Sequence, residues 1–157
     1  MGLRVGDAAP AFDLEGINGA TGAPGRFKLS DYAGDPVILA FYPADNSPVC
    51  TRQLLSYTLG IDSLDQSHAH LLAISPQDPQ SHIEFAETHS GFRFPLLSDP
   101  DKEVGRAYGI VGLLDLYRRS TFLIDGAGTV VYAHRSLGPG ITFRPLDELV
   151  KLVETLA

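Results

Sequence analysis

Val37-Ile38-Leu39-Ala40-Phe41-Tyr42 is an almost purely apolar run of strand length. A strand that is apolar on both of its faces has to be covered on both sides, so it belongs at the centre of a layered sheet. The residues after it constrain the fold as tightly. Pro43-Ala44-Asp45-Asn46-Ser47-Pro48 is a polar turn holding two prolines. Ser47 suits the cap of a following helix, with Pro48 at its first position, where a missing N–H costs nothing. Leu54, Leu55, Tyr57, Thr58, Ile61 and Leu64 then recur as an approximate helical stripe, with Gly60 as a weak point. The stretch therefore reads strand, turn, helix. Cys50, the only cysteine of 157 residues, falls in the first turn of that helix.

The rest of the chain is arranged around this unit. Before it, Ala11-Phe12-Asp13-Leu14 and Phe27-Lys28-Leu29 alternate like short half-buried strands on either side of a loop, Gly16 to Gly25, and predict an N-terminal β-hairpin on the rim of the fold. Ser30-Asp31-Tyr32 predicts a brief turn or a single helical turn. After it, Leu71-Leu72-Ala73-Ile74-Ser75 reads as a second buried strand. Asp78-Pro79 opens a helix in which Ile83, Phe85, Ala86 and one of His82 or His89 share faces, and Gly91 ends it. Phe94-Pro95-Leu96-Leu97 is extended, and Ser98-Asp99-Pro100 is expected to cap a short helix through Val104, Ala107 and Tyr108. Ser120–Ile124 and Thr129–His134 flank Asp125-Gly126-Ala127-Gly128, a hairpin signal. Beyond a Gly138-Pro139-Gly140 break, Leu146, Leu149, Val150, Val153 and Leu156 keep helical spacing. This order predicts an α/β fold with a mixed central sheet flanked by helices, and a single domain over residues 1–157.

Charge and composition exclude several classes of function. A net charge of −7 argues against nucleic acid or an anionic membrane as the main partner. No run of 18 apolar residues exists to span a bilayer. Met1 to Pro10 carries one Arg and no apolar core of a signal peptide, so a reducing cytoplasm is the compartment expected. The Gly-rich loop after Gly16 lacks the Gly-Lys-Ser/Thr of a phosphate loop, and no Gly-x-Ser-x-Gly elbow marks a serine hydrolase.

Cys50 has two readings. A free cysteine is commonly a small buried hydrophobe. Against that, a helix N-terminus carries unpaired N–H groups and partial positive charge, which favour a reactive thiolate. Three residues earlier, Ser47 offers a hydroxyl able to accept from a bound O–H or donate to an oxygen or sulfur. The backbone N–H groups of Val49 and Cys50 are expected to be unpaired at that turn and available to developing negative charge. Pro43 and Pro48 stiffen the loop and present no competing donors.

Read as Pro-x-x-x-Ser-x-x-Cys, residues 43–50 resemble the active-site signature of the peroxiredoxins, thiol-dependent peroxidases with a thioredoxin-like fold. Gly6-Asp7-Ala8-Ala9-Pro10-Ala11-Phe12, Leu29–Gly34, Leu96–Pro100 and Arg119–Asp125 resemble further landmarks of that family, so the likeness covers most of the chain. Phe41-Tyr42-Pro43 and Pro48 after Ser47 resemble its bacterioferritin-comigratory, or Q-type, branch. The resemblance implies that Cys50 attacks peroxide, that Ser47 hydrogen-bonds it, that Pro43 shields the pocket and that Arg119 reaches in from the later hairpin. Arg119→Ala is then expected to slow the reaction and raise the thiol pKa. Relatives often carry a resolving cysteine where this chain has Leu55, so an external thiol (thioredoxin, glutaredoxin or a small thiol) is expected to complete the cycle. Gln53 stands where many have Glu. No metal, haem or flavin is implied, and both monomer and homodimer fit.

Other groups suggest less. Arg52 is a secondary candidate for electrostatic work beside Cys50. His68 and His70 read as a solvated turn, and His82 and His89 are too far apart on their helix for one ion. Asp99, Asp101 and Glu103 imitate the start of a calcium loop, but Ile110 stands where its bidentate Glu is required, so capping explains them better. A disulfide oxidoreductase needs Cys-x-x-Cys, and residues 47 and 53 are Ser and Gln. A redox sensor that uses the same Cys50 oxidation without turnover is the other class consistent with these residues.

Overall fold

The computed structural model describes residues 3–136 and 142–156. In chain order the strands and helices are β1 (Asp13–Ile17), β2 (Pro24–Lys28), β3 (Val37–Phe41), α1 (Pro48–Asp65), β4 (His70–Ser75), α2 (Pro79–Thr88), β5 (Leu96–Ser98), α3 (Glu103–Ala107), β6 (Ser120–Ile124), β7 (Val130–Arg135) and α4 (Leu146–Glu154). The Gly138-Pro139-Gly140 break lies outside the described residues.

The strands form one mixed sheet in the order β2-β1-β5-β4-β3-β6-β7. Parallel pairing joins β3 to β4 and β4 to β5, with α1 and α2 as crossovers; the other neighbours are antiparallel. All five residues of β3 are buried. Their side chains alternate between two layers, as a pleat requires. Ile38, Ala40 and Tyr42 pack with α1, α2 and α4, whereas Val37, Leu39 and Phe41 pack with Phe12, Tyr108, Ile110, Tyr117 and Phe122. This is the covered central strand that the apolar run requires, and the sheet and helix layers match the α/β expectation.

Three local readings are corrected. The hairpin exists, but β1 extends through Gly16 and Ile17, which the composition assigned to a loop. The hairpin does lie at the rim: β2 takes the sheet edge, and β1 pairs inward, Gly16 and Ile17 with Leu97 and Leu96. A Cβ on Gly16 would lie 2.5 Å from the Leu96 carbonyl oxygen, so glycine permits the strand approach here. Gly60 does not weaken α1 visibly. The helix runs through it, and a Cβ there would come within 3.0 Å of Leu146 Cδ2, so glycine lets α4 pack close. Finally, α3 begins at Glu103, after Lys102 in the left-handed region. Asp99 caps it from a distance, Oδ1 accepting from Val104 N at 3.2 Å and Oδ2 from Gly105 N at 2.9 Å. Tyr117 adds its hydroxyl to the same carboxylate.

Candidate active site

The turn after β3 is held from both sides. Tyr42 N still donates to Ile74 O at 2.9 Å, continuing the sheet one residue past the strand. The chain then reverses through Asn46, whose φ of 64° is the left-handed conformation that Asn tolerates better than most residues. Ser47 is extended and caps α1: its Oγ accepts from Cys50 N at 3.3 Å, and its carbonyl from Thr51 N at 2.9 Å. The sequence reading expected the Cys50 N–H to be unpaired; the cap occupies it. Cys50 has no exposed surface, Pro43, Ser47 and Val49 are half-buried, and Pro48 is exposed.

Arg119 arrives through strand pairing. β6 lies antiparallel beside β3 with Ser120 opposite Phe41, so the residue before Ser120 emerges at the end of β3 where α1 begins. Its carbonyl is fixed by Ser136, whose N and Oγ donate to it at 2.9 and 2.7 Å. The guanidinium is buried, with Nη2 donating to Cys50 Sγ at 3.1 Å and Nη1 to Gln53 Oε1 at 2.5 Å. Its Nε is one of the few buried polar atoms without a hydrogen-bond partner among the described residues. A positive fork thus faces the only sulfur of a cysteine in the chain, with one donor in reserve. The adjacent Arg118 instead donates from Nε to Ser136 O at 2.7 Å. Arg52, the secondary candidate, places its guanidinium over the Phe143 ring, 5.9 Å from the centroid.

Gln53 is fully buried one turn along α1 from Cys50, and its Nε2 donates to Tyr57 Oη at 3.2 Å. Tyr57 donates in turn to the Arg144 carbonyl at 2.6 Å. Desolvation pushes the Tyr57 phenol up to about 12, against smaller opposing effects from Gln53, Thr121 and the Arg119 charge. The Tyr57 contacts were not anticipated, because Tyr57 reads from its spacing as an ordinary core position. Leu55, where a resolving cysteine stands in relatives, packs half-buried against the core around α1.

Sequence reasoning also missed a second polar cluster. Asp45, buried in the turn, accepts from Tyr42 Oη at 2.7 Å on one oxygen. On the other it meets Ser81 Oγ at 2.7 Å and His82 Nδ1 at 2.8 Å. His82 Nε2 donates to Leu97 O at 3.0 Å. Burial, followed by the Asp45 charge, raises the Tyr42 phenol well above its usual value. The one available hint was that His82 or His89 shares the inner face of α2. His82 takes the buried position, whereas His89 sets its ring edge-on to Phe85. His70, from the expected solvated turn, lies on β4 with Nε2 3.0 Å from Asp35 Oδ2.

The arrangement can stabilise negative charge on a buried sulfur, and on an oxygen next to it. Residues 5–133 match the model of the AhpC/TSA family. Peroxiredoxin Bcp of Bacillus subtilis is 31% identical over 163 residues, covering 99% of this chain and 96% of that protein. The chloroplastic peroxiredoxin Q of Populus jackii is 32% identical over 159 residues, covering 98% of this chain and 70% of that protein. Among solved structures, Mycobacterium tuberculosis AhpC superposes with a TM-score of 0.90 at 22% identity, covering 99% of this chain and 94% of that one.

Proposed function

This chain belongs to the AhpC/TSA family, and from that membership we propose that its peroxide chemistry runs through Cys50. It is a peroxiredoxin of the Q-type kind, a thiol-dependent peroxidase with a thioredoxin-like fold and a single cysteine. The observation that carries the assignment of the site is the 3.1 Å approach of Arg119 Nη2 to Cys50 Sγ. A thiolate is the attacking form of cysteine, and a guanidinium is the charge-assisted donor that a negative sulfur calls for.

The reaction then follows from the groups present. The sulfur electron pair forms a bond to one peroxide oxygen while the O–O bond breaks. The leaving oxygen takes a proton and departs as water or an alcohol, and Cys50 becomes a sulfenic acid. Arg119, with Nε in reserve, stabilises charge on the departing oxygen. Ser47 orients the bound hydroperoxide, Pro43 shields it from water, and the backbone N–H of Val49 faces the developing charge. One external thiol condenses with the sulfenic acid, releasing water and forming a mixed disulfide. A second thiol reduces that disulfide and restores Cys50. An outside thiol is needed because the sequence holds no second cysteine. A reducing cytoplasm would supply it; no described helix is long and apolar enough to cross a membrane. The continuous sheet supports one domain over residues 1–157.

Stopped-flow oxidation by hydrogen peroxide and by organic hydroperoxides tests the site, followed by turnover with thioredoxin, glutaredoxin and a small thiol. Cys50→Ser abolishes peroxide consumption, and Arg119→Ala slows it by about 10²–10³-fold, the usual loss for one donor to developing charge. Peroxidase turnover in Cys50→Ser would overturn the assignment. A single slow oxidation of the unaltered protein, with no turnover by any of the three thiols, would do the same for the recycling step.

A further inference from the structure

The Gln53 amide is bonded at both ends, to Arg119 through Oε1 and to Tyr57 through Nε2. An amide has an accepting end and a donating end of nearly equal size, so its neighbours decide which way it points. Here both neighbours decide: the Arg119 guanidinium can only donate and so requires Oε1, and the Tyr57 oxygen requires the donor end. The Tyr57 hydroxyl gives its one hydrogen to the Arg144 carbonyl at 2.6 Å, and a carbonyl can only accept. The Tyr57 oxygen is left as an acceptor, and Nε2 of Gln53 donates to it, with the Thr121 hydroxyl as a second neighbouring donor. A reversed amide would set Nε2 against the Arg119 N–H and Oε1 against an oxygen with no free hydrogen. Both mismatches would be buried.

We propose that Tyr57 is a positioning residue for the peroxidase reaction: its hydroxyl, anchored on the Arg144 carbonyl, holds the donor end of the Gln53 amide and through it steadies the Arg119 fork facing Cys50. The proposal rests on Cys50 and Arg119 being the reacting pair. Gln53 and Tyr57 stand one turn apart on α1, Arg119 enters with β6, and Arg144 lies just before α4. The relay therefore ties the segment leading into α4 to the nucleophile. The raised phenol of Tyr57 keeps its hydrogen throughout the neutral range, so the relay stays in one state there.

The role is specific to an amide. A carboxylate at position 53 has two equivalent oxygens, can face Arg119 either way round, and needs no partner to give it direction. That difference supplies the test. The rate constant of Cys50 oxidation by hydrogen peroxide is measured for the unaltered protein, Tyr57→Phe, Gln53→Glu and the double variant. Tyr57→Phe is expected to slow oxidation by about ten- to a hundredfold, the scale of a misaligned catalytic group. In the Gln53→Glu background the same change is expected to matter by less than about twofold, since the two substitutions act on one unit. Equal losses in both backgrounds would mean a merely structural tyrosine, and an unslowed Tyr57→Phe would also overturn the relay. If Tyr57→Phe fails to fold, the unaltered protein still decides the matter by NMR. The Gln53 side-chain amide protons should show their strongest contact with the Tyr57 ring, and a stronger contact with the Arg119 guanidinium would reverse the inference. Cys50→Ser is run alongside. Peroxide turnover in that variant removes the assignment of the nucleophile, whereas an inactive Cys50→Ser with an unslowed Tyr57→Phe removes only the relay.

Discussion

His82 and Asp45 face each other in the interior, Nδ1 to Oδ2 at 2.8 Å, with neither side chain in appreciable contact with solvent. One belongs to α2 and the other to the turn between β3 and α1. The contact fastens the turn that carries Pro43 and Ser47 to a helix distant in sequence. Gln77 Oε1 adds a bond from Asp45 N at 3.3 Å, so both the backbone and the side chain of Asp45 are held.

His82→Ala is expected to lower the unfolding free energy by about 3 kcal/mol or more, because it strips a buried carboxylate of one partner and opens space beside it. Urea denaturation at pH 7 measures this. The peroxide rate should fall together with stability, since the turn bearing Ser47 loses its tether. A loss under about 0.5 kcal/mol, the range of ordinary surface changes, would show that the contact does not hold the turn.

Ser47 serves the helix through its cap and, in the proposed mechanism, the peroxide through its hydroxyl. Ser47→Ala should cost about 1 kcal/mol by removing the acceptor for Cys50 N. Ser47→Asp retains a capping acceptor and adds a negative charge next to the nucleophile. It should therefore melt close to the unaltered protein yet oxidise far more slowly. Thermal denaturation paired with stopped-flow oxidation separates the two roles. Parallel losses in both variants would tie Ser47 to stability alone.

Tyr57 gives a prediction at high pH. Its phenol titrates near 10 when unfolded and at about 12 in the folded protein, chiefly through desolvation. A raised folded value means that the native state holds its proton where the unfolded state has lost it. The stability contributed is whole below pH 10 and is lost as pH rises through about 12. Two units correspond to roughly 2–3 kcal/mol. Burial raises the Tyr42, Tyr108 and Tyr117 phenols as well, so the whole protein should weaken across this window. Tyr57→Phe should show a shallower decline of unfolding free energy between pH 10 and 12. An unchanged slope would mean that Tyr57 is not desolvated in the folded protein.

Much of the local structure was legible without coordinates. The β3 run, the Ser47-Pro48 helix start, the β6–β7 hairpin signal and the spacing of α4 each depend on residues close together in sequence, where period and capping chemistry speak directly. The errors occurred where distant chain decides. Gly16 looked like a loop residue because nothing near it reveals Leu97 as its strand partner. Lys102 rather than Asp99 immediately precedes α3, although the Asp99 carboxylate still reaches Val104 N, Gly105 N and the Tyr117 hydroxyl from a distance. His82 and His89 could not be ranked from spacing alone. Which of them is buried depends on Asp45 and on the Leu97 carbonyl.

That one thiol follows a buried strand at the start of a capped helix, with no second cysteine to close its cycle, can be read from the residues alone. These are properties of composition and short-range order, and no folding is needed to read them. What surrounds that thiol depends on how distant elements pack. Antiparallel pairing of β6 with β3 carries Arg119 to within 3.1 Å of Cys50. The packing of α1 against the segment before α4 gives Tyr57 the Arg144 carbonyl as its acceptor. Electrostatic and hydrogen-bond effects act over a few ångströms of space, and strand register and helix packing, rather than separation along the chain, set those distances.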